Sequence, residues 1–270
     1  MIVSASTSQS LASSLAAALD EPLAATEYER FPDGELRASV PEFDADRAVV
    51  VCATTTSDAH LEALQLQDAV REAGANEVVT VLPYMGYARQ DSAFESGQPV
   101  SARAVARALS TGTDRVLTVN PHETGVCDFF DVPCTVVDAA GRLAAPLPDL
   151  DDPVFLAPDA GARELATTVR DAYGVGSVDH FEKTRHSATE VEIEPHAADV
   201  ASRDAVLVDD IVAPARRWRP PSRTSASATP PARSSPASIP FSRARLELVS
   251  PARASKPSTA PTRSNAPRAP

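Results

Sequence analysis

The chain has 270 residues, 43% of them hydrophobic, and a formal net charge of -12, which is enough apolar content for the cores of two small domains. The charge is split: residues 1–212 hold 36 of the 37 acids and 14 of the 25 bases, whereas residues 213–270 hold one acid, Glu247, and 11 bases. The acidic part repels phosphate backbones, so no nucleic-acid partner is expected, and excess carboxylate of this kind keeps proteins soluble in a salt-rich cytoplasm.

The opening "MIVSASTSQSLASSLAAALDEP" has no basic residue and is too short to span a bilayer. No signal peptide and no membrane partner are expected, and the location expected is cytoplasmic. Three cysteines (Cys52, Cys127, Cys134) show no metal-ligand spacing, and an odd count fits a reducing compartment.

In chain order, strands are expected at 1–4, 48–52, 77–82, 116–119, 135–137, 154–157 and 205–208. Helices are expected at 9–19, 58–73, 102–109 and 162–173. Ser57 and Ser101 stand where N-caps belong, and Gly74 stands where a helix-terminating glycine belongs. Apolar β-branched runs alternating with helices define an α/β fold with mostly parallel sheets covered by helices. In such sheets ligands bind beyond the carboxyl ends of the strands, so the segments leaving each strand are the places to search for chemistry.

After Leu82 comes "PYMGYARQDSAF", in which Arg89, Gln90 and Asp91 present a fork donor, an amide and a carboxylate beside two tyrosines. It is either a polar surface loop or one wall of a ligand site. After Val119 comes "NPHETGVCDFFDVP", with His122 three residues beyond the strand, either structural or a ligand. After Ala157 comes "PDAGARELA", where Asp159 is either a helix cap or a functional acid.

Lys183, in "FEKTRHSATEVEIEP", is the only lysine in the first 212 residues. A solitary lysine where all other bases are arginine points to a compact charge that arginine cannot replace, as a developing phosphoryl charge requires. Arg185 lies two residues on and shares its side if the segment is extended. "AVLVDDIV" ends a buried strand in Asp209 and Asp210, which could bind ribose hydroxyls or Mg²⁺, or form a solvated acidic turn. "RFPDGEL", Arg30 to Leu36, reads as a turn.

Taken in order, "FPDGE", "PYMGYARQD", "PHETGVCDFFDVP", "PDAGA", "EKTRHSATEVEI" and "VLVDDIV" resemble the ribose-phosphate diphosphokinase family from residue 1 to about 213. The resemblance implies two phosphoribosyltransferase-like domains, 1–138 and 139–213, in a homo-oligomer (dimer or higher). It implies transfer of the diphosphoryl group of Mg-ATP to the 1-hydroxyl of ribose 5-phosphate, with Mg²⁺ as cofactor. It implies ATP contacts at Phe31, Asp33, Gly34, Glu35, Arg89, Gln90 and Asp91, with the first four supplied across subunits. Mg²⁺-linked positions fall at His122 and Asp159, a catalytic pair on a mobile loop at Lys183 and Arg185, and ribose-phosphate contacts at Arg185, Asp209 and Asp210. "NPHE" before the histidine site and Ala160 in "PDAGA" depart from the usual pattern without removing a functional side chain.

A larger departure follows Asp210. The family places a Thr- and Gly-containing loop there, whose amides hold the 5-phosphate. This chain has Pro214-Ala215-Arg216-Arg217-Trp218 and then no glycine at all, while residues 213–270 hold 12 of the 24 prolines. Residues 214–270 are therefore expected to form a disordered Pro/Ser/Arg-rich tail, with the second domain truncated and its sheet edge exposed. A reduced or lost activity follows, and the alternative is a non-catalytic ATP-binding homologue or regulatory subunit of the family.

The tail also has the composition of GC-rich coding DNA read out of frame. If Pro214–Pro221 is encoded CCG GCG CGA CGA TGG CGA CCG CC, a prefixed A and regrouping give Thr-Gly-Ala-Thr-Met-Ala-Thr-Ala. Sequencing codons 205–225 from independent isolates is expected to restore that loop; an unbroken frame through the tail in all of them would reject the shift.

Overall fold

The computed structural model describes residues 1–185, 191–195, 203–211 and 246–249, with side chains for 1–181 and 203–211. They fall into two compact units, one running from Met1 to Val137 and one beginning at Asp138.

The first unit is built on five parallel strands in the spatial order β1 (Ile2–Ser4), β4 (Arg47–Val51), β5 (Glu77–Leu82), β6 (Arg115–Val119) and β7 (Cys134–Val137). Alternation along the strands divides the apolar residues between two faces. Ile2 and Val51 pack with Ala12 and Ala16 of α1 (Gln9–Leu19) on one side. Val3, Val50, Val78, Leu82 and Val116 pack with α2 (Ser57–Glu72) and α3 (Ser101–Ser110) on the other. Ala12 and Ala16, four residues apart, form a short-sided stripe that lets α1 approach the sheet closely.

Helix α2 buries Ala59, Glu62, Ala63, Leu66, Gln67 and Val70, a spacing of three and four residues that keeps one face on the sheet. Two of these are polar, and each has work for its side chain. Gln67 donates to Thr80 (2.8 Å), and Thr80 donates in turn to Thr113 (2.9 Å). Glu62 receives the backbone N–H and the hydroxyl of Ser6, at 2.9 and 2.8 Å. A hairpin of β2 (Glu27–Arg30) and β3 (Leu36–Ser39) lies against α2, whose Gln65 side chain accepts from Ala38 N–H and donates to Leu36 C=O, at 2.7 and 2.8 Å.

The second unit has the sheet order β10 (Val191–Pro195), β9 (Ser177–Arg185), β8 (Val154–Ala157), β11 (Ala205–Val208) and β12 (Leu246–Val249). All neighbours are parallel except β9 and β10. Helix α4 (Arg163–Tyr173) follows β8 and buries Ala166 and Val169. The Tyr173 ring stands 5.6 Å from that of fully buried Phe155, and its hydroxyl accepts from Leu150 N–H (2.7 Å) and donates to Pro148 C=O (2.9 Å).

The structure departs from the sequence reading in several places. The α2 N-cap is Thr56, whose hydroxyl oxygen accepts from Ala59 N–H (3.1 Å), and Ser57 is the first helical residue. Val100 occupies the α3 cap, because the Ser101 hydroxyl donates to Gln90 instead. Gly74 does follow the end of α2, with a φ of 102°.

Of the segment expected as a disordered tail, 214–270, only Leu246–Val249 is among the described residues: it forms β12 and pairs with β11 along the edge expected to be open, and the rest of that expectation lies outside the described residues. Cys127 and Cys134, expected as thiols, are joined as a disulfide with Cα atoms 5.3 Å apart, leaving Cys52 buried and free. Among the described residues no helix is long and apolar enough to cross a membrane.

Leu66 is fully buried in the larger core of the first unit. Leu66→Ala is expected to cost about 2–5 kcal/mol of unfolding free energy, read from denaturant titration. A loss below about 1 kcal/mol would mean that α2 does not pack on the sheet as described.

Candidate active site

Every strand of the first sheet runs the same way, so the segments leaving β1, β4, β5 and β6 share one edge. There Thr7 donates to Ala53 C=O (2.9 Å) and Ser8 accepts from Ala53 N–H (2.8 Å). Thr54 N–H donates to Tyr84 C=O (3.0 Å), and Gly86 N–H donates to the Thr54 hydroxyl (2.9 Å). These bonds stitch three exit loops together. Beyond Gly86 the chain passes through Tyr87 at a φ of 64°, a left-handed conformation that costs a non-glycine residue roughly 1–2 kcal/mol. Ala88 is buried and Arg89 is exposed to solvent.

Gln90 has a structural task. Its amide donates to Pro99 C=O (3.2 Å) and accepts from the Ser101 hydroxyl (2.6 Å), closing the loop onto the start of α3. Asp91 accepts from the Ser92 hydroxyl at 3.2 Å. His122 lies exposed beyond β6, so Arg89, Gln90, Asp91 and His122 all leave the same edge from adjacent strands.

Phe31, Asp33, Gly34 and Glu35 form the turn of the β2–β3 hairpin. Phe31 N–H donates to Glu35 C=O and Gly34 N–H to Phe31 C=O, both at 2.9 Å, while Asp33 accepts from Glu35 N–H at 3.1 Å. A φ of 93° at Gly34 makes glycine the residue for this position. The Arg37 guanidinium lies 5.3 Å from the centre of the Phe31 ring. Arg30 pairs with Asp58 in the first turn of α2, which ties the turn to that helix.

In the second unit β8 and β11 are adjacent and parallel, so Asp159 and the Asp209–Asp210 pair leave one edge together. Asp159 Oδ1 accepts from the N–H groups of Gly161 (3.1 Å) and Ala162 (3.3 Å) in the turn ahead of α4; the N-cap itself is Ala162, whose side chain makes no capping bond, so Asp159 shapes the turn and is not the N-cap. Strand β9 runs parallel to β8, with His180 level with Ala157, and continues five residues farther to Arg185. Lys183 and Arg185 therefore stand beyond the same edge as Asp159 and Asp209. They were expected on a mobile loop; the backbone places both in a strand, Lys183 opposite Ile193 and Arg185 opposite Val191 of β10.

Burial pushes the Asp209 carboxyl up to about 6, helped by the hydrogen bond and negative charge of Asp210. Two adjacent acids here hold a proton well above the usual carboxylate range. Because the shift is upward, the group takes stability from the fold as pH rises from about 4 to about 6.

The sequence reading missed Glu62, Gln65 and His60 on α2, which brace the loops of the first unit. The signal for Glu62 was present: an acid on the apolar face of an amphipathic helix calls for a buried partner. Among the described residues no three His, Cys, Asp or Glu side chains gather into a metal cage. Within the second unit the carboxylates at the strand exits, Asp159, Asp209 and Asp210, would suit a Mg²⁺ ion that takes most of its oxygens from water and phosphate.

These arrangements define an α/β protein of the phosphoribosyltransferase type, with the candidate residues at the carboxyl edges of two sheets. Residues 1–112 match the model of the N-terminal domain of ribose phosphate pyrophosphokinase. A ribose-phosphate pyrophosphokinase from Halobacterium salinarum is 66% identical over 215 residues, covering 79% of this chain and 76% of that protein. One from Methanopyrus kandleri is 48% identical over 203 residues, covering 73% and 69%. The crystal structure of phosphoribosylpyrophosphate synthetase from Mycobacterium smegmatis superimposes with a TM-score of 0.64 at 27% identity, covering 78% of this chain and 70% of that one. The chain belongs to the ribose-phosphate pyrophosphokinase family, and a halophilic archaeal source fits its acidic composition.

The Asp209 carboxyl is expected to titrate near 6 in carbon-13 NMR and to move down in Asp210→Asn. A midpoint near 4 in the unsubstituted chain, or no movement in the variant, would contradict the paired arrangement.

Proposed function

We propose that residues 1–211 form the machinery that transfers the β,γ-diphosphoryl group of Mg-ATP to the 1-hydroxyl of ribose 5-phosphate. The oxygen of the 1-hydroxyl bonds to the β-phosphorus, the α–β bridge breaks, and AMP leaves with the bridging electron pair. What supports this most is the relative at 66% identity that bears the name of this activity. The gathering of Asp159, Asp209, Asp210 and the Lys183 strand at one sheet edge adds to it.

In this reading the first unit serves the nucleotide. Arg89 and Asp91 contact ATP, Gln90 holds their loop, and the turn Phe31–Glu35 meets the adenine of a neighbouring subunit in a homo-oligomer. His122 in the first unit and Asp159 in the second are the Mg²⁺-linked positions, and Mg²⁺ bound with ATP would neutralise phosphate charge. Asp209 and Asp210 accept hydrogen bonds from the ribose hydroxyls, a task that needs the ionised form and so favours pH above about 6. Lys183 and Arg185 stabilise charge on the transferring group and the leaving AMP. Alignment and charge neutralisation are what this reaction demands, with no covalent step on the protein.

The segment after Ile211 lies outside the described residues. Its sequence lacks the glycine loop that would offer amides to the 5-phosphate. Ribose 5-phosphate is then held weakly, and turnover suffers more than ATP binding. That one feature also favours the second reading, a non-catalytic ATP-binding homologue.

Calorimetry with Mg-ATP and with ribose 5-phosphate, beside an assay of ribose 5-phosphate-dependent AMP release, tests the proposal. Mg-ATP binding is expected to survive, with slow AMP release that Lys183→Ala lowers by roughly a hundred-fold or more. ATP binding with no AMP release would select the non-catalytic reading. Tight ribose 5-phosphate binding without ATP would contradict the account of the missing loop, and failure to bind Mg-ATP would sink both readings.

A further inference from the structure

His60 sits in the first turn of α2, at the edge from which the β5 loop leaves. Its Nδ1 is 2.9 Å from Thr56 C=O. A carbonyl can only accept, so Nδ1 carries a proton; burial lowers the pKa of the ring, and in the neutral form that this favours, Nε2 is the unprotonated nitrogen. Nε2 is buried without a hydrogen-bond partner. An orphaned nitrogen has a cost, and here the ring makes contact instead.

A Cβ built on Gly86 would stand 2.8 Å from His60 Cε1 and 2.2 Å from Thr54 C=O, so the Gly86 backbone is closed directly onto the ring edge and that carbonyl. The Tyr87 ring lies 5.3 Å from the imidazole at a tilt of 54°, and the Tyr87 hydroxyl is 3.4 Å from the Ser57 hydroxyl. Tyr87, the non-glycine residue of this loop with a left-handed backbone, is therefore the one that leans on His60. Two residues later the chain delivers Arg89, and the loop closes through Gln90 N–H to Tyr87 C=O at 2.9 Å.

We propose that His60 is a positioning residue: its ring, anchored by Thr56, is the stop against which Gly86 and Tyr87 close, and it thereby sets the loop that presents Arg89. The inference deepens the proposed function, since it rests on Arg89 as a nucleotide contact. Gly86 N–H held by Thr54 and the ring held by Thr56 are two fixed points, and Tyr87 is sprung between them. Without the ring, the left-handed Tyr87 loses its support and the loop relaxes.

Four variants decide it: His60→Ala, His60→Asn, Arg89→Ala and the double variant His60→Ala, Arg89→Ala. Asparagine keeps a donor for Thr56 C=O, and with it the first turn of α2, but removes the ring. If His60 served only that turn, His60→Asn would behave as the unsubstituted chain. Positioning predicts that both His60 variants speed hydrogen exchange at the Gly86 amide about ten-fold or more in the free chain, while β4 and β5 amides keep their protection. It also predicts a Mg-ATP dissociation constant about ten-fold higher in both, with the double variant His60→Ala, Arg89→Ala binding no more weakly than Arg89→Ala alone.

Unchanged Gly86 protection, recovery in His60→Asn, or effects of His60→Ala and Arg89→Ala that simply add would each overturn the proposal. Should the unsubstituted chain bind no Mg-ATP, the nucleotide reading fails, and the exchange measurement still decides the role of His60.

Discussion

Parallel pairing is the constraint on which the rest depends. Five strands of the first unit run the same way, and so do four of the second. Each sheet therefore sends its exit loops to one edge, whatever the order of residues in the chain. Loops that leave parallel strands are close neighbours, and in the first unit they are bound to one another through Thr7, Ser8, Thr54 and Gly86. Rigid strands, small residues and loop-to-loop hydrogen bonds hold the exposed side chains beyond them. The side chains with chemistry to offer, such as Arg89 and His122, are thus carried at the margin of a core that they do not help to build.

The two edges differ in how they are held. In the first unit buried polar groups serve the backbone: Glu62 fastens the β1 loop, Gln65 the edge of β3, and Gln67 a chain of threonines. The Glu62 carboxylate and the Gln65 amide are satisfied by protein, so the cost of burying them is met locally, while Gln67 bonds through its N–H group and leaves its buried Oε1 without a hydrogen bond among the described residues. In the second unit Asp209 and Asp210 are half-buried side by side, and one holds its proton up to about pH 6. Such crowding opposes folding at neutral pH. A strongly coupled acid pair that weakens its own fold is the kind of feature found where a protein must accept hydrogen bonds or a cation from a ligand.

The apolar strands and four helices were legible because burial on both faces leaves β-branched runs such as "AVVV" and "EVVTVL", and helices leave three- and four-residue spacing. The hairpin was not, since "EYER" and "LRAS" lie largely at the surface and carry no apolar run. Strands β9 and β10 were hidden likewise by charged residues, although "VEIEP" alternates. For the site, the positions of Arg89, Gln90, Asp91, His122, Asp159, Asp209 and Asp210 after strands were readable, whereas those of Lys183 and Arg185 inside β9 were not. The work of Gln90 was not, because only the folded loop brings Pro99 and Ser101 to its amide. Nor was His60, whose neighbours Thr54, Gly86 and Tyr87 come from other segments.

On the proposed function, nucleotide meets this chain at the carboxyl edge of the first parallel sheet. Hydrogen–deuterium exchange with and without saturating Mg-ATP tests it directly. The account predicts new protection at residues 86–91 and 120–123, the exits of β5 and β6. Protection confined to residues 44–47, 74–77 and 112–115, where the chain enters β4, β5 and β6, would contradict it.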